Sequence, residues 1–589
     1  MLPFARASSL NGSHYPAQVV HCAGGLVGAL VRSGAHSYCE FKAVEATAFA
    51  FPPTASSPAT TTPRRIALVA APTTRSEVFT TLLLTPAEKR ALGRVVSACA
   101  GHHSSHNGSH GSPAHAGASP PAAALPPAAD PSSADAPPRP PPPPLPAPLA
   151  PARGAEPFAP ALAACGLSPR LSSLVLTLLC FMDGDDAGAT VENGTRALAR
   201  HAESAGAFAH AGGGAASLLV PLYGTGELCQ AFARAAAVGG AVTALRRPLE
   251  GVILAAEPLR EDGQHRGERV CGVRLGGQLV ACRALAAGGC VWDGFARAEA
   301  GRAPPAPSSA AAGAAAPHRI VHRAALVLDV SPPNCCAPLL PRAAASSGDA
   351  APATPLVFAV LPPGCFPTAA GSGGGDTAGG GAASAVRALQ LGCATCASPD
   401  DATSVLLLST VADAQQPGAE QSGAARSALW DAVAELVDVG GATADRPGGE
   451  ASSPVEPVTD GSASSASHAQ PPPLPPPPPP PPPPPRPRLL WGAFYSQPCD
   501  EGRDAGAAAC GAALPPNAAR LHSGGGRADT CWAVDAAAAA LERLFPGTPF
   551  FASPPPPQER AADDAADADE ANEARLLREP APEAVQRGP

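Results

Sequence analysis

Between Pro471 and Pro485 every residue except Leu474 is proline. Such a run has no backbone N–H to give to a helix or a sheet ladder, and its fixed φ favours an extended polyproline II rod. Any fold this chain adopts must carry the run as an interruption. The run has company: 75 prolines and 60 glycines occur in 589 residues, many of them in tracts near 101–151, 300–318, 366–385 and 445–487. Tracts of this kind cannot bury enough apolar surface to offset the entropy of ordering them. They are nevertheless tolerable as insertions, because each doubling of a flexible loop costs only about 0.6 kcal/mol of closure entropy. The expectation is a globular part of roughly two thirds of the chain, threaded by unstructured inserts.

Charge and cysteine usage remove several function classes. The formal net charge is −9, with 40 Lys plus Arg against 49 Asp plus Glu and no basic run, which argues against nucleic-acid binding, where phosphate neutralisation supplies most of the affinity. The longest apolar stretch, Leu171 to Met182, falls short of the roughly 20 residues needed to span a bilayer. The first residues, MLPFARASSLNGSHYPAQ, show no signal-peptide hydrophobic region. Seventeen scattered cysteines read as reduced thiols rather than a disulfide framework, giving the cytosol as the expected location.

Hydrophobic spacing and punctuation place the ordered blocks. Leu26, Val27, Leu30 and Val31 share a helix face that Gly34 ends. Thr85-Pro86-Ala87-Glu88 is a helix start, with Thr85 as cap, Pro86 at the first helical position and Glu88 closing a capping box. Ser168-Pro169 starts another helix, with Leu171, Leu174, Val175, Leu178 and Leu179 on its apolar face, and Asn193 to His210 can form one more. From Leu218 the pattern changes. Leu218–Leu222 reads as a strand, Gly224 to Gly226 as a turn, and Glu227 to Val238 as a helix. Strand-like runs follow at Val242–Leu245, Gly251–Leu254, Val270–Leu275, Gln278–Cys282, Ala324–Val330, Leu356–Leu361 and Ser404–Val411, before a helix at Ala425–Val437. The expected fold class is α+β with two domains. A helical domain comprises residues 15–100 and 156–215, split by an insert at 101–155. A β-rich domain comprises 216–444 and 488–552, split by the Pro-rich insert at 445–487, and 553–589 is an acidic tail.

Motifs with obvious chemistry are weak. Gly224-Thr225-Gly226 between strand and helix has the outline of a dinucleotide fingerprint. However, Cys229 stands where the third glycine would be, and Glu227 puts a carboxylate where a pyrophosphate would sit. Its carboxylate should instead satisfy free N–H groups or point outward to a cationic partner. No cofactor is expected. Cys393 and Cys396 form a lone CxxC with no second pair at zinc spacing, so structural thiols are the expectation. His102, His103, His106, His110 and His115 lie in a Ser/Gly/Asn tract that could hold a metal only loosely, and no metal site is assigned. No GxSxG elbow, HExxH or P-loop is present, and no catalytic residue is assigned.

Several blocks nevertheless resemble one family, the Rab escort proteins, relatives of the Rab GDP-dissociation inhibitors. They are Ser37-Tyr38-Cys39-Glu40-Phe41-Lys42; Arg75-Ser76-Glu77-Val78-Phe79 with Glu88-Lys89-Arg90; Pro221-Leu222-Tyr223-Gly224-Thr225-Gly226-Glu227-Leu228-Cys229-Gln230-Ala231-Phe232-Ala233-Arg234; Leu490-Trp491-Gly492-Ala493-Phe494-Tyr495; and Leu544-Phe545-Pro546. The resemblance extends over roughly half the chain, and the only two lysines, Lys42 and Lys89, fall inside the matching blocks. The resemblance implies a β-rich domain related to flavoproteins plus an all-helical domain. It also implies a non-catalytic role: binding a GDP-loaded Rab GTPase, presenting it to the geranylgeranyl transferase αβ pair, and shielding the prenyl lipid on the way to membranes. In the family, the Tyr223 block belongs to the Rab-binding platform, which implies roles for Tyr223, Glu227, Gln230 and Arg234. Glu227 and Arg234 are two turns apart and expected to project outward from one helix face. Phe79 and Arg90 match positions that dock the transferase α subunit, with Phe79 near the end of one helix and Arg90 early in the next. Leu171, Leu174, Leu178 and the Leu26/Leu30 face are candidates for lipid lining, with core packing as the alternative.

The family's opening strand, GxGxxG-like turn and helix, and its Tyr-Tyr-Gly-Gly segment, have no counterpart in the sequence. This reads as an N-terminally truncated form and leads to the expectation of poor autonomous folding. Three alternatives stay open: a GDP-dissociation inhibitor that recycles prenylated Rab, a flavin-type oxidoreductase, and a Pro-rich scaffold binding SH3-type grooves.

Overall fold

The computed structural model describes residues 18–51, 68–107, 144–182, 189–209, 216–256, 268–288, 318–331, 354–363, 384–414, 420–439, 486–499, 514–521 and 530–551, with single positions 66, 292, 339 and 365. In chain order the elements are β1 (Val20–His21), α1 (Gly25–Arg32), β2 (Phe41–Ala43), β3 (Ala46–Ala50), β4 (Leu68–Ala70), α2 (Arg75–Thr80), α3 (Pro86–Asn107), α4 (Phe158–Ala164), α5 (Pro169–Leu174), α6 (Val191–Ser204), β5 (Leu218–Pro221) and α7 (Gly226–Val238). There follow β6 (Leu249–Ala256), β7 (Glu268–Leu275), β8 (Gln278–Ala281), β9 (Leu285–Gly288), β10 (His318–Asp329), β11 (Val357–Leu361), β12 (Val386–Leu391), β13 (Thr403–Ala414), α8 (Glu420–Leu436), β14 (Arg488–Cys499), β15 (Ala518–Leu521) and α9 (Cys531–Leu544).

A seven-stranded sheet in the order β14-β10-β13-β12-β11-β3-β4 is the centre of the molecule. Its pairs are antiparallel apart from β3 with β11, which run parallel. Side chains alternate across a strand with period two, and β11 shows what that does here. Val357, Ala359 and Leu361 pack into one core with Leu429, Val433 and Leu436 of α8. Phe358 and Val360 pack into the other with Leu92, Val95, Phe158, Leu162, Leu171, Leu174 and Leu198 of the helical layer. Each such fully buried large side chain is worth about 1.5–3 kcal/mol, so the sheet is clamped from both faces. At its β14 edge Trp430 stacks on Phe494 with ring centroids 4.0 Å apart.

A smaller sheet, β1-β5-β2, carries α1 and α7 on a separate core of Val20, Leu26, Leu30, Leu219, Leu228 and Ala231. A third sheet, β6-β7-β8, leads to the parallel pair β9 and β15.

The helices expected on the Leu26–Val31 face, from Pro86, from Pro169, over Glu227–Val238 and over Ala425–Val437 are present, the last beginning earlier at Glu420, as are most of the expected strands. Several details differ. Segment 15–100 is not purely helical: β3 and β4 belong to the seven-stranded sheet and β2 to the smaller one, because alternating residues of Ala46–Ala50 are wanted on both of its faces. The insert assigned to 101–155 is shorter, since α3 continues to Asn107 and Leu149 is buried at 1% exposure. Ser168 precedes α5 but does not cap it; its hydroxyl donates to Glu88 at 2.8 Å instead. The α5 face continues as a wider turn over Val175–Leu179. α6 starts at Val191, capped by Thr190, and stops at Ser204. Val242–Leu245 is exposed coil rather than strand, and among the described residues no strand pairs with it. The proline run at 471–485, the tracts at 300–317 and 366–383, and the tail beyond 551 lie outside the described residues.

Candidate functional site

The platform block is built from β5, α7 and the segment leading into β2. After Pro221 the chain turns through Gly224, whose φ of +86° is a left-handed conformation that glycine adopts without strain. Helix α7 is seated by Leu228 and Ala231, both buried, and this leaves Tyr223, Gln230 and Arg234 exposed.

Glu227 does not project outward as expected. Its Oε2 accepts the Tyr223 N–H and its Oε1 the Glu40 N–H, both at 3.3 Å. A carboxylate in the first helical turn is drawn to unpaired backbone donors, and those of Tyr223 and Glu40 are within its reach. Glu227 thus ties the α7 turn to the segment before β2. Arg234 lies two turns on, with its guanidinium 4.6 Å from the centroid of the Tyr38 ring. Acid and base share one helix face, and both rest on the Tyr38–Glu40 segment. Gln230 is exposed beside them. Nothing in this arrangement resembles a phosphate cradle, because the carboxylate fills the mouth of the turn.

One neighbour of this platform was invisible in the sequence. Residues Cys393–Thr395 form a single tight turn, and Cys396 presents its thiol to Tyr223. The Tyr223 hydroxyl is pushed up from its ordinary value, first by Cys396, then by Glu40, with Glu227 adding to it. Cys393 donates to Asp401 at 2.7 Å, which raises its thiol.

The second candidate region is built on α2 and α3. Thr74 and Glu77 form a capping box at the start of α2, and Thr85 and Glu88 form the one at α3 (Thr85 N–H to Glu88 at 3.0 Å, Glu88 N–H to Thr85 at 3.3 Å). The Phe79 ring is 64% exposed and Leu82 is 98% exposed, and Arg90 is exposed one turn into α3. Lys89 donates to the Phe79 carbonyl at 2.8 Å, and the Arg75 guanidinium stands 5.9 Å from the Phe79 ring. The order of Phe79 and Arg90 on consecutive helices is as the Thr85-Pro86 break implied. Phe79 is surface, not core. Glu88 grips Arg170 with a bidentate contact at 3.0 and 2.8 Å; Arg170 first, aided by the Thr85 and Ser168 bonds and against a burial penalty, brings its carboxyl down to about 2.

The lipid-lining candidates are core. Leu171, Leu174 and Leu178 pack in the helical layer, and Leu26 and Leu30 in the small-sheet core. Among the described residues no group of three or more side chains could hold a metal, and no helix is long and apolar enough to cross a membrane. His102, His103 and His106 fall on the last turns of α3, while His110 and His115 lie outside the described residues.

No family model matches the chain. Over 147 residues the sequence is 31% identical to Rab escort protein 1 of Arabidopsis thaliana, a stretch that is 24% of this chain and 24% of that protein. The alignment thus spans about a quarter of that relative's length. A solved Rab GDI from Plasmodium falciparum superposes with a TM-score of 0.47 at 10% identity, over 92% of this chain and 86% of the other.

Proposed function

We propose that this chain is a non-catalytic, escort-type protein that binds a GDP-loaded Rab GTPase, presents it to the geranylgeranyl transferase αβ pair and shields the attached prenyl group on the way to a membrane. The observation that carries the reading is the 31% identity to a Rab escort protein, together with the matching block from Pro221 to Arg234. In this reading Tyr223, Gln230 and Arg234 meet the GTPase. Glu227 serves indirectly, by holding the Tyr223 turn and the Glu40 segment in one frame.

The exposed Phe79 favours an escort protein over a dissociation inhibitor. A 64% exposed phenylalanine beside a 98% exposed leucine, with the Arg75 guanidinium 5.9 Å from the ring, has the aromatic-plus-arginine composition of an interface hot spot. The transferase α subunit is the partner this reading assigns to it. The working cycle would be cytosolic with transient visits to membranes.

The deciding experiment is a prenylation assay with Rab and the transferase αβ pair, with and without this protein. Stimulated transfer supports the escort reading. Extraction of prenylated Rab from membranes without stimulated transfer would assign the chain to the inhibitor side instead, and neither activity would overturn both.

A further inference from the structure

We propose that Cys393 and Cys396 form a reversible disulfide that governs how the Tyr223 turn is held. The proposal rests, for its consequence though not for the bond itself, on the platform reading above. The Cys396 N–H donates to the Cys393 carbonyl at 2.9 Å. An i to i+3 turn of this kind brings its end Cα atoms within about 7 Å, overlapping the roughly 4.4–6.8 Å that a disulfide spans. The turn is braced at its start, and the loop that follows it is closed on Asp400. The Thr395 hydroxyl donates to the Gly392 carbonyl at 2.8 Å. The Asp400 carboxylate accepts from the N–H groups of Ala402 and Thr403 at 3.1 and 3.0 Å.

Cys396 itself has φ +52°, a left-handed conformation unfavourable for a residue with a Cβ. Its thiol is exposed, and that of Cys393 is half-buried. Buried cysteines elsewhere behave differently: burial pushes the thiols of Cys22, Cys99 and Cys365 up to about 12, leaving them inert packing groups.

The reaction is thiol–disulfide exchange with a glutathione-type disulfide. The Cys396 thiolate attacks one sulfur of the small disulfide and expels one glutathione thiolate. Cys393 then gives its proton to the Asp401 carboxylate, and through it to water, and attacks Cys396 Sγ in the mixed disulfide, expelling the second. Two protein thiols are oxidised and one small disulfide is reduced to two thiols. The Tyr223 hydroxyl then loses its thiol partner and Asp401 its donor, while Glu227 keeps the Tyr223 N–H. The ring is released while the turn stays anchored at one end.

The test uses the full chain exposed to oxidised glutathione, quenched with an alkylating agent and digested with trypsin. The tryptic peptide 388–426 contains Cys393 and Cys396 and no other cysteine. The expected product is that peptide lighter by two hydrogens and unalkylated, with faster hydrogen exchange over 222–226 than in the reduced protein. Cys393→Ser should arrest the reaction as a glutathione adduct on Cys396, and the double variant C393S/C396S should show no change in exchange. Oxidised wild-type protein should bind GDP-loaded Rab about tenfold more weakly than reduced protein, while the double variant binds equally in both conditions. Full alkylation of both cysteines after treatment, or a stable glutathione adduct in the wild type, would overturn the disulfide. A mapped disulfide with unchanged exchange over 222–226 would overturn its hold on Tyr223. A reduced protein that binds no Rab would count against the platform reading alone.

Discussion

The two candidate regions put similar residue types to opposite use. Around Tyr223, charged side chains are spent inside the molecule, with Glu227 on two backbone N–H groups and Arg234 on the Tyr38 ring. Around Phe79 it is apolar side chains that the fold leaves in water, while the charge beneath them, Glu88 on Arg170, is engaged. A side chain already matched within its own fold shapes a surface, whereas one left unmatched at an energetic cost marks where something else is expected to land. By this criterion the Tyr223 platform is a preorganised frame and the Phe79 apex is an anchor.

The sharpest way to break that contrast is to unseat α7. Leu228→Ala should cost about 2–5 kcal/mol of stability, read as a lowered midpoint in thermal or urea unfolding; a shift no larger than that of a surface substitution would mean α7 is not anchored by its buried face. The next test concerns the joint between the regions. His21 on β1 and His201 on α6 lie with ring centroids 6.1 Å apart, and His201 faces the Thr73 carbonyl, just before α2, at 3.3 Å. Burial brings His201 down to about 4, with Thr73 opposing, and burial, His201 and Arg200 together lower His21 well below its ordinary value. The unfolded chain then takes up protons at a higher pH than the folded one. Stability is full above about pH 6.5 and is lost as pH falls toward 4, by roughly 3 kcal/mol from His201 alone. Acid titration of the unfolding midpoint checks this, and His201→Asn should flatten the slope in that window.

Smaller effects separate frame from anchor. Phe79→Ala should leave stability within about 0.5 kcal/mol, yet weaken association with the transferase by about 2 kcal/mol, measured by calorimetry. If instead the fold is destabilised and association is untouched, Phe79 is a packing residue after all. Glu227→Gln keeps one acceptor and loses the charge, for an expected cost of about 1 kcal/mol of stability. Arg234→Ala should cost still less, about 0.5 kcal/mol through the lost stacking on Tyr38, while lowering Rab affinity more than stability.

Much of this was legible in the sequence wherever a local rule decided the outcome. The Thr85/Glu88 box, the Gly34 stop and the apolar runs at 324–330, 356–361 and 404–411 each carried their own signal. β12 did not, because Arg387 and Gln390 interrupt its apolar pattern. The structure buries both, and Gln390 is satisfied by the Leu339 N–H and the Pro355 carbonyl. Val242–Leu245 failed in the other direction, since strand propensity without a partner strand forms no ladder. The inward turn of Glu227 depends on Glu40, 187 residues earlier, and the meeting of Cys396 with Tyr223 on a similarly distant contact. Long-range geometry of that kind leaves no trace in spacing.

The parallel pairing of β3 with β11 joins Ala46 to Val357, about 310 positions later in the chain. At a synthesis rate of roughly 5–20 residues per second, β3 leaves the ribosome some tens of seconds before the strand that completes its ladder exists. During that interval its ladder groups face solvent on that side, with Ala48 and Ala50, whose core partners come mainly from β10 to β13 and α8, still uncovered. Newly made chains should therefore depend on a holding chaperone that shelters residues near 46–50, and release from it should await translation past Leu361.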